Sequence, residues 1–227
     1  MGDLPILFSA PMVRALMDGR KTQTRRVMNP QPSGIKSART FGPGWAIAPE
    51  SNRCTVDFKA PAFVFGDRLY VRESWRCEAR YDDLAPRDIP SSAPIYYAAD
   101  PDPRDSDPGC AGRYRHGRFM PRWASRLTLT VTEVRVQRLQ DISEDDALAE
   151  GVEMESADPP FYYVPGIWPH SLTAVGIEEP GGRHAERSFA KLWNSLHGAD
   201  AWERNDWVAA YTFTVQRGNI DQIGATA

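Results

Sequence analysis

The chain has 227 residues, 41% of them hydrophobic and 25% charged, which is the make-up of a globular protein able to bury a core. Its net charge is 27 − 30 = −3, so no global electrostatic pull toward nucleic acid exists, and only a local basic patch would serve that purpose. Three cysteines (Cys54, Cys77, Cys110) and four histidines without metal-ligand spacing exclude a disulfide framework and a zinc signature; reduced thiols in a cytoplasmic protein are expected, with no metal or cofactor. No run approaches the ~20 apolar residues of a membrane span, and no signal peptide is evident.

In chain order, Pro5 to Phe8 predicts a short strand. Ser9 can cap a helix with Pro11 in its first turn, an apolar face at Met12, Ala15 and Leu16, and Gly19 as its stop. Arg20 to Arg26 follows, with two threonine hydroxyls and four cations in seven residues; it reads as a turn entering an extended segment. Residues 29–61 are interrupted by Pro and Gly and predict an irregular insertion. Gly66-Asp67 marks a turn into a strand over 68–75, with Leu69, Val71 and Glu73 on one face.

A second insertion spans 77–117, in which only Ile95 to Ala98 has strand character. Leu127 to Leu139 alternates cleanly, and its apolar face switches near Glu133, which predicts a bulge or a change of neighbour. Ser143, an acidic first turn and Gly151 delimit a short helix. A third insertion covers 152–183. A helix over 184–197 carries an apolar stripe at Phe189, Leu192, Trp193 and Leu196, and Trp207 to Val215 is a final strand before a flexible tail at 218–227. The order lacks βαβ alternation, so the expected class is α+β: one domain over 1–217, a small mixed sheet with helices at its edges and long insertions.

Lys21 and Thr24 are the sharpest chemical pair. A threonine hydroxyl attacks only when a base takes its proton, and a lysine is such a base when burial or neighbouring cations lower its pKa. Arg20, Arg25 and Arg26 supply the cations. Residues three apart on a straight strand face opposite ways, so the chain must bend for the two side chains to converge. The same residues also fit a solvated basic turn. Glu73 and Glu150 are the candidate carboxylates, each with an ordinary alternative, an ion pair with a flanking arginine or a solvated helix end. Trp123 between Arg122 and Arg126 makes an aromatic-basic cluster suited to a nucleobase; Trp75, Tyr96, Tyr97 and Trp168 are further stacking candidates that also fit packing roles.

At Gly19-Arg-Lys-Thr-Gln-Thr-Arg25 the chain resembles the ASCH domains of the PUA-like superfamily, whose opening helix ends in a GxKTxTxR-like motif. The Gly66-Asp67 turn, the strand ending in Leu139-Gln-Asp-Ile142, the helix to Glu150 and the strand Tyr211 to Val215 follow in matching order. Arg72 to Trp75 and Phe119 to Trp123 are similar to segments of phage and prophage ASCH proteins.

The resemblance implies a PUA-like mixed β-barrel with flanking helices. It also implies an amidohydrolase acting on N4-acylated cytosine nucleosides or bases, N4-acetylcytidine being the type substrate. Lys21, Thr24 and Glu150 would then be catalytic, and Arg20, Arg25, Arg26, Glu73, Arg122 and Trp123 would line the substrate site. The other reading is a non-catalytic RNA or modified-nucleobase binder, or a ribonuclease. The chain is about twice as long as the small family members, through its three insertions.

Overall fold

A computed structural model describes residues 2–40, 42, 44–52, 54–102, 104, 111–157, 160–165 and 184–223. In chain order the elements are β1 (Asp3–Leu7), α1 (Ala10–Met17), β2 (Gln23–Val27), β3 (Ile35–Thr40), β4 (Ala46–Pro49), β5 (Arg68–Arg72), β6 (Trp75–Cys77), β7 (Ile95–Tyr97), β8 (Leu127–Arg138), α2 (Glu144–Ala149), β9 (Glu153–Ala157), β10 (Pro160–Tyr163), α3 (Ala185–His197) and β11 (Trp207–Arg217). The class is α+β, mostly sheet with few helices. No described helix is long and apolar enough to cross a membrane.

Two compact units divide the chain, one of residues 1–19, 67–130 and 214–227, the other of 20–66 and 131–213. In the first, β1 lies parallel to β5, and β5 pairs antiparallel with the start of β8. A small core of Trp75, Cys77, Ile89, Ala93, Met120 and Ala124 sits beside the β6–β7 hairpin. In the second, β4, β3 and the end of β8 pair in sequence, and β11 pairs antiparallel with β2. There α3 lays Phe189, Leu192 and Trp193 onto Leu139, Ala147, Val152 and Val208.

The change of apolar face along β8 has the expected cause. Residues 128–130 pair with β5, residues 134–136 pair with β3, and the buried set shifts from Leu129 and Val131 to Val134 and Val136. Three expectations need correction. The pairing does not close a barrel: among the described residues β1 pairs only with β5, β4 only with β3, and β2 only with β11. The insertion at 29–61 holds β3 and β4, and the one at 152–183 holds β9 and β10; partner strands, not alternation, define these short elements. Leu196 is half exposed and lies off the buried stripe of α3. Trp168, Cys110 and most of 152–183 lie outside the described residues.

Candidate active site

The centre of the second unit is a cluster of buried charge built on β2 and α2. Gly19 ends α1 with φ +75°, a left-handed turn that glycine adopts at little cost. Beyond it the chain is pinned twice: Thr22 N donates to Ala149 O at the end of α2 (2.9 Å), and Phe213 N donates to Thr22 O (3.0 Å). These bonds set Lys21 against the C-terminus of α2 before β2 begins. Opposite Arg25 and Arg26 on β11 stand Ala210 and Ala209, both buried and small enough to leave room for guanidinium stems.

Lys21, 1% exposed, donates from Nζ to Glu150 Oε2 (2.6 Å) and to the Glu150 carbonyl (2.8 Å). The second bond satisfies a carbonyl that α2 leaves open at its end. Arg25 reaches the same carboxylate at Oε1 (3.0 Å) and also bonds Asp146 Oδ2 (2.8 Å) and Gln23 Oε1 (2.6 Å). Its guanidinium carbon Cζ lies 5.7 Å from the centroid of the Phe189 ring, and its Nε is buried without a hydrogen bond. Asp146 also accepts from Arg135 (2.7 Å) and from Gln23 (3.2 Å). Glu150 and Asp146 meet these cations together because they sit four apart, on one face of α2. The Ser143 hydroxyl caps that helix by accepting from Asp146 N (3.2 Å).

Thr24 lies on the other face of β2 together with Arg26, whose Nη1 donates to Thr24 Oγ1 (2.9 Å). Thr24 is 2% exposed, and its register partner is Tyr211. Among the described residues no hydrogen bond joins Lys21 to Thr24; the link runs through Arg26, whose charge acts on both Lys21 and Glu150.

The electrostatics follow from burial. Desolvation lowers the Lys21 pKa below its ordinary value, with Glu150 opposing the fall and Arg26 and Arg25 assisting it. Burial likewise lowers Arg26 and raises the Tyr211 phenol to about 12. Asp146 is pushed up by desolvation, but the Arg135 hydrogen bond and the charges of Arg25 and Arg135 outweigh this and bring it down. Desolvation is thus the effect that favours a neutral Lys21 in this cluster.

Of the residues singled out in the sequence, Lys21, Thr24, Arg25, Arg26 and Glu150 therefore share one cluster. Arg20, at its margin, pairs with Glu153 (2.7 Å). Glu73, Arg122 and Trp123 belong to the first unit and have partners there. Glu73 is buried, receives both arms of Arg126 (2.9 and 3.1 Å), and has its pKa lifted by burial against that pull. Arg122 bridges Asp3 and Asp221, and the carbonyls of Arg122 and Trp123 accept from Asn219. Trp75 is fully buried in the small core of that unit.

Sequence reasoning missed Asp146, Gln23, Arg135 and Tyr211. Asp146 was legible as the residue four before Glu150, and Gln23 as the alternate of Arg25 on one strand face. Arg135 and Tyr211 come from distant strands and leave no local signal. Comparison with protein-family models, with curated proteins and with solved structures finds no match for the chain.

Proposed function

We propose that the chain is an amidohydrolase of the ASCH type, built on an open, PUA-like mixed sheet, that removes the acyl group from N4-acylated cytosine nucleosides or bases. The observation that carries this reading is the buried Lys21–Glu150 pair, in one cluster with Arg26 and the Thr24 hydroxyl that Arg26 holds. A neutral lysine amine keeps two N–H bonds, the number that Glu150 accepts through its carbonyl and Oε2. The lone pair is then the group that takes the Thr24 proton.

In this reading Thr24 Oγ1 attacks the acyl carbon as Lys21 accepts its proton. The oxyanion is met by the guanidinium of Arg26, which already bonds Thr24 Oγ1. The tetrahedral intermediate collapses, the N4–acyl bond breaks, and the Lys21 ammonium returns its proton to the leaving N4 amine. The acyl group is left as a Thr24 ester. A water then attacks the ester with Lys21 again as base, and carboxylate leaves as Thr24 is reprotonated. Glu150 holds Lys21 in place and sets its proton affinity.

Purified protein incubated with N4-acetylcytidine should release cytidine and acetate, and Lys21→Ala and Thr24→Ala should each abolish the release. Intact substrate with folded wild-type protein defeats the proposal.

One observation favours a second reading, a module that binds a modified nucleobase or RNA without cleaving it. The Thr24 oxygen accepts from a guanidinium, a group that cannot take its proton. Binding of N4-acetylcytidine without turnover, unchanged in Thr24→Ala, would select this reading.

A further inference from the structure

We infer a second ligand site in the first unit, one that takes a nucleoside monophosphate. A cavity of about 340 Å³ is lined by Arg72, Arg87, Arg118, Phe119, Met120 and Pro121, together with Ala85 and Pro86. That volume suits a small ligand. Three guanidiniums and no carboxylate line it, in a protein whose net charge is −3.

Two of the three cations are not neutralised elsewhere, and the third is paired only at long range. Arg72 and Arg118 have no carboxylate partner among the described residues, and Arg87 faces Asp88 only at 3.7 Å, both largely exposed. Arg72 is held in place by neutral groups: Nη1 donates to Arg118 O (3.2 Å), Nη2 donates to Tyr70 Oη (3.1 Å), and Cζ lies 5.3 Å from the Tyr70 ring centre. Its Nε is buried without a hydrogen bond, a donor still unmet.

Phe119 supplies the other half. It is 59% exposed, an unusual place for a large apolar ring, while its neighbour Met120 is 1% exposed. The ring is presented from a rigid base. Met120 Sδ accepts from Glu73 N (3.4 Å), and a Cβ added at Gly117 would come within 2.8 Å of the Glu73 carbonyl carbon. An exposed aromatic face flanked by arginines stacks a base on the ring and places a phosphate among the guanidiniums. Stacking accepts any base, so the selected feature is the phosphate joined to a planar ring. A mononucleotide meets both requirements within the cavity, where a strand would exceed it.

The test is calorimetric titration of the full-length protein with cytidine 5′-monophosphate and adenosine 5′-monophosphate. Cytidine, inorganic phosphate and a short oligoribonucleotide serve as separate arms. The expected result is saturable binding of both monophosphates, weaker for cytidine and for phosphate. Phe119→Ala should weaken it by on the order of tenfold, and Arg118→Gln comparably. Both side chains are exposed, so the thermal midpoint of each variant should stay at the wild-type value and report an intact fold. Phosphate binding as tightly as the nucleotides, binding confined to the oligoribonucleotide, or full affinity in both variants would each overturn the inference.

Discussion

Glu150→Gln is the most informative perturbation of the charge cluster. The glutamate side chain is 5% exposed and accepts from two cations, Lys21 at 2.6 Å and Arg25 at 3.0 Å. Glutamine keeps the shape and one acceptor oxygen, but it turns an N–H₂ toward one of those cations. Two charge-assisted hydrogen bonds at about 1.5–3 kcal/mol each give roughly 3–6 kcal/mol at risk. Breaking a buried ion pair from one side costs about 3–5 kcal/mol, in agreement. For a chain of this size that corresponds to a fall in Tm of roughly 6–20 °C. Urea unfolding followed by tryptophan fluorescence measures it, with an unchanged m-value as the check that only stability moved. Lys21→Met should cost less, because Glu150 keeps Arg25 as its partner, and the double variant should cost less than the sum by about 1–3 kcal/mol. A Glu150→Gln variant within about 1 kcal/mol of wild type would refute the picture of a desolvated, carboxylate-dependent cluster.

Other outcomes follow from the same geometry. Because burial holds Lys21 below its ordinary value of 10.5, the unfolded chain binds more protons between the two pKa values. Stability therefore rises with pH across that window, and Lys21→Met should flatten the rise in unfolding measurements. If Lys21 is the base, kcat/KM for N4-acetylcytidine climbs with pH through its pKa, and Glu150→Gln moves that climb to lower pH, since Glu150 supports the ammonium. Tyr211 behaves oppositely: its phenol is raised to about 12, so the native state retains a proton that the unfolded chain loses above 10, and stability falls with pH in that range. Tyr211→Phe should remove that fall and one late-titrating tyrosine from the ultraviolet titration. Gly117→Ala forces a Cβ to 2.7 Å from Leu7 Cδ1 and 2.8 Å from Glu73 C, and should cost about 1–3 kcal/mol in chemical denaturation.

Local chemistry made part of this architecture readable. Ser143 and Gly151 bracket α2 with side-chain and backbone roles that act within a few residues, and both are seen. The face switch near Glu133 was readable because each half of β8 answers to a different neighbour. The pairing of Lys21 with Glu150 left no local signal, since 129 residues separate them and no residue-level rule joins them. Glu73 was expected to face inward and does, but its partner Arg126 comes from just before β8, and alternation says nothing about partners. β3 and β4 escaped notice because proline and glycine mask strands whose existence depends on pairing.

Helix α2 has only six residues, far short of what stands alone in water. Its start depends on Ser143, while its Asp146 and its end at Glu150 are held by Gln23, Arg25 and Lys21. The carboxylates and the helix that carries them thus support each other. Amide exchange at Ala147 and Glu150, whose protons bond Ser143 O and Asp146 O, should accordingly vanish and return in step with the whole cluster, as a single thermodynamic unit.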